Sequence, residues 1–231
     1  MNIVITGANR GLGLALVKEA AKRGHRLWAG LRDGSDYAAL RNVAEEHPGT
    51  IELVSLEVTD EAGVARLAER LKQEGQPVHS IINNAAVVQA RGSKLEDLDL
   101  SEVQRTMDVN VYGPIRMVKH LLPLLPREGG TIVNISSASG SFEKAYGGDY
   151  PYAISKAALN LFSQQLHRLL SPKGVRVYAV HPGWLRTDMG GSQAPNEPDV
   201  PAPGILDLAE GRKPCEGPYV FVDHNGQALP I

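Results

Sequence analysis

Cysteine is almost absent from this chain. The single Cys215 among 231 residues excludes an internal disulfide and any metal site built on cysteine. No apolar run approaches the roughly 18 residues needed to cross a bilayer. The N-terminus opens directly on a strand-like segment, where a leader would show a charged and then apolar stretch. Excess charge is missing too: 24 Lys and Arg against 26 Asp and Glu leave −2, which gives no reason to expect nucleic acid or an anionic membrane as partner. Aromatic residues make up only 5%. No His-x-x-x-His or clustered-carboxylate pattern occurs, so the seven histidines, His181 included, read as structural or surface groups and no metal is expected. A cytoplasmic enzyme or small-molecule binder is the expectation that remains. With 42% hydrophobic residues, 231 residues suffice for one large domain with a substantial core.

What is present is alternation. Short apolar runs at residues 2–6, 26–31, 51–56, 78–82, 131–135, 175–181 and 219–222 read as strands, and helical patterns fill most of the gaps. Among the helices, residues 60–73 are expected to be capped by Thr59, and a long helix from Ser101 to about Leu125 to bend at Pro114. Strands alternating with helices predict an α/β chain: a single Rossmann domain over 1–231, with a doubly wound parallel sheet of about seven strands and helices on both faces. The stretch from 183 to 212 begins rich in Gly, Pro and polar residues and is expected to lie over a site.

The first strand runs into Thr6-Gly7-Ala8-Asn9-Arg10-Gly11-Leu12-Gly13, and a helix follows at once. In that context glycines let the backbone approach a pyrophosphate, and the helix start offers unpaired N–H groups with a partial positive charge. The spacing is Gly-x-x-x-Gly-x-Gly, which differs from the commoner Gly-x-Gly-x-x-Gly. Further polar groups follow later strands: Arg32-Asp33, Glu57 with Val58, Asn83-Asn84, Ser136-Ser137 and His181-Pro182-Gly183. All fall on the carboxyl edge of the predicted sheet, where ligands of such folds bind.

Tyr152 and Lys156 stand four apart at the start of a predicted helix, which puts them on one face. A phenol near pKa 10 is a poor acid at neutrality, and a nearby ammonium should lower that value. Tyr146 and Tyr150 have no lysine in the same register.

Thr6-Gly7-x-x-x-Gly11-x-Gly13, Asn83-Asn84-Ala85, Asn110, Ser137, Tyr152-x-x-x-Lys156 and Pro182-Gly183 with Thr187 together resemble the short-chain dehydrogenase/reductase family, over about residues 1–190. The nearest likeness is to its carbonyl-reductase-like and C-factor-like branch. The resemblance implies an NAD(P)-dependent oxidoreductase that interconverts a carbonyl compound and an alcohol. Tyr152 would be the general acid/base, Lys156 would depress its pKa and bind the nicotinamide ribose, Ser137 would polarise the carbonyl, and Asn110 would hold a water linking Lys156 to solvent. Ser137 is preferred over Ser139 because it sits three before Gly140, as in the family's Ser-x-x-Gly. The implied cofactor contacts are Gly7, Asn9, Arg10, Gly11, Leu12, Gly13, Arg32, Glu57, Val58, Asn83, Asn84, Ala85, Tyr152, Lys156, Pro182, Gly183 and Thr187. Three features depart from the family pattern: Ala86 replaces a glycine, Glu57 replaces an aspartate, and the C-terminal 40 or so residues show no motif.

Asp33 would favour NAD(H), but Arg32 and Arg10 suit the 2′-phosphate of NADP(H), which is therefore the expected cofactor. The alternative to turnover is a cofactor-binding regulatory or signalling protein of the C-factor type. Phe142, Tyr146, Trp184 and Met189, in loops beside the predicted pocket, permit a modest apolar carbonyl substrate. The helices at 101–125 and 151–170 often pair across dimers in this family, which leaves homodimer and monomer both open.

Overall fold

In a pleated strand successive side chains face opposite sides, and the first strand uses both. In β1 (Asn2–Thr6) Ile3 and Ile5 enter one core while Val4 enters the other, all with no solvent exposure. That two-sided burial explains why this run lacks polar alternation. The computed structural model describes residues 1–213 and 217–231, so Cys215 lies outside the described residues.

Six further strands complete the sheet: β2 (Arg26–Leu31), β3 (Ile51–Ser55), β4 (Ser80–Asn83), β5 (Thr131–Ile135), β6 (Arg176–His181) and β7 (Phe221–Asp223). They lie in the order β3-β2-β1-β4-β5-β6-β7, and every neighbouring pair is parallel. The chain winds outward from β1 to β3, then returns to place β4 beside β1. This is the point where strand order reverses and a crevice opens above the strand ends.

One face of the sheet is covered by α1 (Gly11–Lys22), α2 (Ala38–Glu46) and α7 (Ala202–Ala209), whose Leu16, Leu40 and Leu206 share a core with Ile3, Ile82 and Val222. The other face carries α3 (Glu61–Gln73), α5 (Gly113–Leu121) and α6 (Tyr150–Leu170), with Leu71, Met117 and Leu166 against Val4, Trp28 and Ile132. This is the single-domain, seven-stranded Rossmann fold the alternation predicts. Among the described residues no helix is long and apolar enough to cross a membrane.

Three local expectations need correction. The helix from Ser101 is two helices, α4 (Leu100–Met107) and α5, joined by a π-turn at Asp108–Tyr112. Pro114 causes no bend, because it occupies the first turn of α5, where its missing N–H removes no helical bond. At α3 the N-cap is Asp60, not Thr59, and its carboxylate accepts from Arg66 (3.2 Å) without capping the helix. Within 183–212, finally, the last part is not loop. Ala202–Ala209 forms α7 despite Pro203 and Gly204, since proline sits in the first turn and a Cβ on Gly204 would come within 2.1 Å of the His224 carbonyl oxygen.

Candidate active site

The β1–β4 switch point is held by side chains that the sequence motif contains. The Thr6 hydroxyl accepts from the N–H groups of Asn84 and Ala85, each at 3.0 Å, while the Asn84 amide donates to the carbonyls of Thr6 (3.0 Å) and Gly7 (3.1 Å). The turn leaves no room for side chains. Gly7 has φ +63°, with Ala85 Cα 2.9 Å from where a Cβ would stand, and a Cβ on Gly13 would meet the Gly7 carbonyl oxygen at 2.0 Å.

Helix α1 begins in this loop with no side chain capping it and no acidic residue in its first turn. Its first N–H groups therefore keep their partial positive charge for a ligand. Uncapped helix start, close glycine turn and flanking Arg10 and Arg32 form a donor set that fits a dinucleotide's phosphates.

A cleft of about 1390 Å³ runs from this loop to the end of β5 and under the segment after β6. Gly7, Asn9, Arg10, Gly11, Leu12, Gly13, Arg32, Glu57, Val58, Asn84, Ala85, Ser137, Tyr152, Lys156, Pro182, Gly183 and Thr187 all line it. Two sequence candidates do not. Asn83 is buried and donates to Asn134 Oδ1 at 2.8 Å. Asn110, buried in the π-turn, accepts from the Val87 N–H (2.9 Å) and donates to the Val87 carbonyl (2.9 Å) and Ser155 Oγ (3.0 Å). Asp33 also stays out of the main cleft and lines an adjoining depression with Arg32, Asp60 and Arg66.

Tyr152 and Lys156 project from the first turns of α6, and a proline at its second position (Pro151) favours the helix start there. Ser137 is the neighbouring hydroxyl that favours the ionised form of Tyr152, and Ser139 acts in the same sense on Tyr146. The Ser-x-x-Gly spacing has a steric reason: a Cβ on Gly140 would stand 2.6 Å from the Lys156 carbonyl carbon. The loop and α6 pack backbone to backbone, which brings Ser137 to Tyr152.

The electrostatics correct one expectation. Burial pushes the Tyr152 phenol above its ordinary value, opposed by the hydrogen bond from Ser137 and the charge of Arg91. Lys156 does not produce the lowering. Its ammonium lies over the tyrosine ring, 5.4 Å from the centroid, and donates to the Ile135 carbonyl at 2.7 Å. Burial also drops the Lys156 pKa to about 7, so near neutrality it carries only part of a charge.

Arg91 carried no signal in the sequence, because it sits in an irregular loop without periodicity. It lines the cleft and donates to the Met189 carbonyl at 2.8 Å. Ser35, Asp36 and Asp149 were missed for the same reason. His181, read as structural or surface, also lines the cleft. Its Nδ1 has no partner among the described residues, and burial, Lys144 and His224 hold its pKa below the usual value. Tyr146, Trp184 and Met189 line the cleft as the pocket reading expects, but Phe142 does not and is 76% exposed.

A parallel sheet in this order, with its cleft at the switch point, defines a Rossmann-type fold of the kind that binds dinucleotides. The family model of the short chain dehydrogenases matches residues 1–198, and the chain belongs to that family. The C-signal protein of Myxococcus xanthus is 37% identical over 161 residues, which cover 67% of this chain and 93% of its own. The solved structure of the carbonyl reductase Sniffer of D. melanogaster is similar with a TM-score of 0.89 at 29% identity, covering 100% of this chain and 99% of that one. The NADPH-bound carbonyl reductase from chicken fatty liver gives 0.86 at 28% identity, covering 100% and 98%.

Proposed function

We propose that this chain is an NADP(H)-dependent oxidoreductase that interconverts a carbonyl compound and an alcohol, with Tyr152 as general acid and base. One observation carries the reading: Ser137, Tyr152 and Lys156 converge on the wall of a cleft whose other end is an uncapped, glycine-lined helix start.

When bound, the nicotinamide supplies or accepts the hydride. The chain's residues do the remainder. Tyr152 gives its proton to the carbonyl oxygen, or takes one from the alcohol. Ser137 donates to the same oxygen and holds the phenol in place. Raising the phenol's pKa by burial keeps it protonated before reduction, as a proton donor must be. Lys156, on the face of α6 that carries Tyr152, is placed to hold a ribose hydroxyl.

Arg32 and Arg10 support a preference for NADP(H), since both guanidinium groups line the cleft while Asp33 faces away into the side depression. The NADPH bound by the chicken carbonyl reductase supports the same preference. Arg10 is paired with Asp188, and both side chains are largely exposed, so the pair can open at little cost.

A second reading, a cofactor-binding regulatory protein of the C-signal type, rests on the 37% identity to that protein. It gives no use for a Ser137–Tyr152 contact. An NADPH-oxidation screen across aldehydes, ketones and quinones, with Tyr152→Phe as control, separates the two. Turnover lost in the variant supports the enzyme, and NADPH binding without any turnover supports the second reading.

A further inference from the structure

We propose that Asn160 is a positioning residue for the reaction: its buried side-chain amide clasps the turn that carries Ser137 from both sides and so fixes where the Ser137 hydroxyl points. The proposal rests on the reading of Ser137 as the group that donates to the carbonyl oxygen.

A donor to a reacting oxygen acts only from a set place, since a shift of about 1 Å in such a group can cost roughly 100-fold in rate. Ser137 does not inherit its place from the sheet. Strand β5 ends at Ile135, and the Ser136 N–H still donates to the Val180 carbonyl at 2.7 Å. Beyond it the chain bends through one short 3₁₀ turn at Ala138–Gly140. The bonds of this turn close on itself. The Gly140 N–H donates to the Ser137 carbonyl (3.0 Å), and the Ser139 N–H to Ser137 Oγ (3.1 Å). They keep the shape of the turn and leave its orientation to whatever holds its two ends.

Asn160 holds both. It stands one helical turn after Lys156 in α6, on the same face. Its Oδ1 accepts from Ser136 Oγ at 2.6 Å, and its Nδ2 donates to the Gly140 carbonyl at 3.2 Å. Ser136 precedes Ser137 and Gly140 closes the turn after it, so one amide spans the residue. All three partners are buried, where a satisfied polar network is rigid and a broken one is costly. The serine hydroxyl needs an acceptor and the glycine carbonyl needs a donor. An amide supplies both, a carboxylate cannot donate, and an aliphatic side chain does neither.

The helix that carries Asn160 is also the one that carries Tyr152. A Cβ on Gly140 would stand 2.6 Å from the Lys156 carbonyl carbon, so the turn lies directly on the α6 backbone. Asn160 thereby sets the turn of Ser137 against the same rigid element that presents the acid/base. It does not itself line the cleft, so it acts through Ser137 and touches neither substrate nor cofactor.

A neighbouring bond supplies the comparison. Asn134 Nδ2 donates to Ser163 Oγ at 2.8 Å and ties β5 to α6 three residues further along the helix. It is equally buried, but it holds no residue of the turn.

The test uses the full chain with NADPH and an aldehyde that the wild type reduces. Asn160→Leu, close to isosteric and without either bond, is compared with Ser137→Ala, the double variant and Ser163→Ala. For each, kcat, NADPH Kd and Tm are measured. Asn160→Leu is expected to lower kcat roughly 10- to 100-fold, with the NADPH Kd within about threefold of wild type. In the Ser137→Ala background the same substitution should lower kcat by less than about threefold, because the group it positions is already gone. Ser163→Ala should lower Tm and leave kcat within about threefold of wild type. A wild-type kcat in Asn160→Leu overturns the proposal. So does an equal loss in the Ser137→Ala background, or a matching loss in Ser163→Ala, since either would mean a general loosening of α6. If Asn160→Leu fails to fold, Ser136→Ala, which deletes a single hydroxyl, takes its place in the same cycle. A wild type that reduces no carbonyl compound overturns the proposed function and the positioning role together. An active wild type whose kcat survives Ser137→Ala overturns the roles of Ser137 and Asn160 and leaves that of Tyr152 standing.

Discussion

Lys156 is anchored to Ile135: the residue is 2% exposed, and its ammonium donates to the Ile135 carbonyl at the end of β5, 2.7 Å away. One hydrogen bond compensates little of the cost of burying a charge, and the pKa falls from 10.5 to about 7. The unfolded lysine holds its proton up to about 10.5 while the folded one releases it near 7. Between these values the unfolded chain binds more protons, so this group makes the cofactor-free protein more stable as pH rises, by at most about 1.4 kcal/mol per pH unit. Below pH 7 the lysine is charged in both states and adds no slope. Urea denaturation of wild type and Lys156→Met at several pH values checks this. The variant's advantage should be largest below pH 7 and shrink toward pH 10. A constant difference would contradict it.

Arg91 holds the phenols of Tyr152 and Tyr146 toward their anionic forms through its charge alone. Reduction requires protonated Tyr152, so kcat/KM should fall as pH rises through the tyrosine's pKa. In Arg91→Gln that alkaline limb moves to higher pH. A pH profile in which the limb stays put or moves down removes Arg91 from the account.

Arg32 lines both the main cleft and the depression that holds Asp33. Charge-assisted bonds to a phosphate contribute about 1.5–3 kcal/mol, so Arg32→Ala should lower kcat/KM for NADPH by roughly 10- to 100-fold and leave NADH nearly unaffected. Asp188→Ala, which frees Arg10, should lower KM for NADPH. Equal losses with both cofactors would show that neither arginine reads the 2′-phosphate.

Much of the fold was legible because buried parallel strands read as short apolar runs, and six of the seven here end in a polar group at the cleft or beside it. Ser137 was legible for a steric reason, since only glycine at 140 lets the loop meet the backbone of Lys156. Other features leave no periodic trace. The π-turn at Asp108–Tyr112 keeps the apolar spacing of one long helix, and α7 hides behind Pro203 and Gly204. The Tyr146–Asp149 hydrogen bond sits at a left-handed backbone on a non-glycine residue, which spacing does not reveal. Nor does spacing show burial, which is why Tyr152 is raised where the Tyr-Lys register alone suggested lowering.

The central claim is that Tyr152 transfers the proton while the rest of the cleft holds the cofactor. It is tested most directly by measuring NADPH affinity and carbonyl turnover together in Tyr152→Phe. The account predicts a kcat at least about 100-fold lower, with the NADPH Kd within about threefold of wild type, under 1 kcal/mol. A variant that binds NADPH and reduces the same carbonyl compound at the wild-type rate would contradict it.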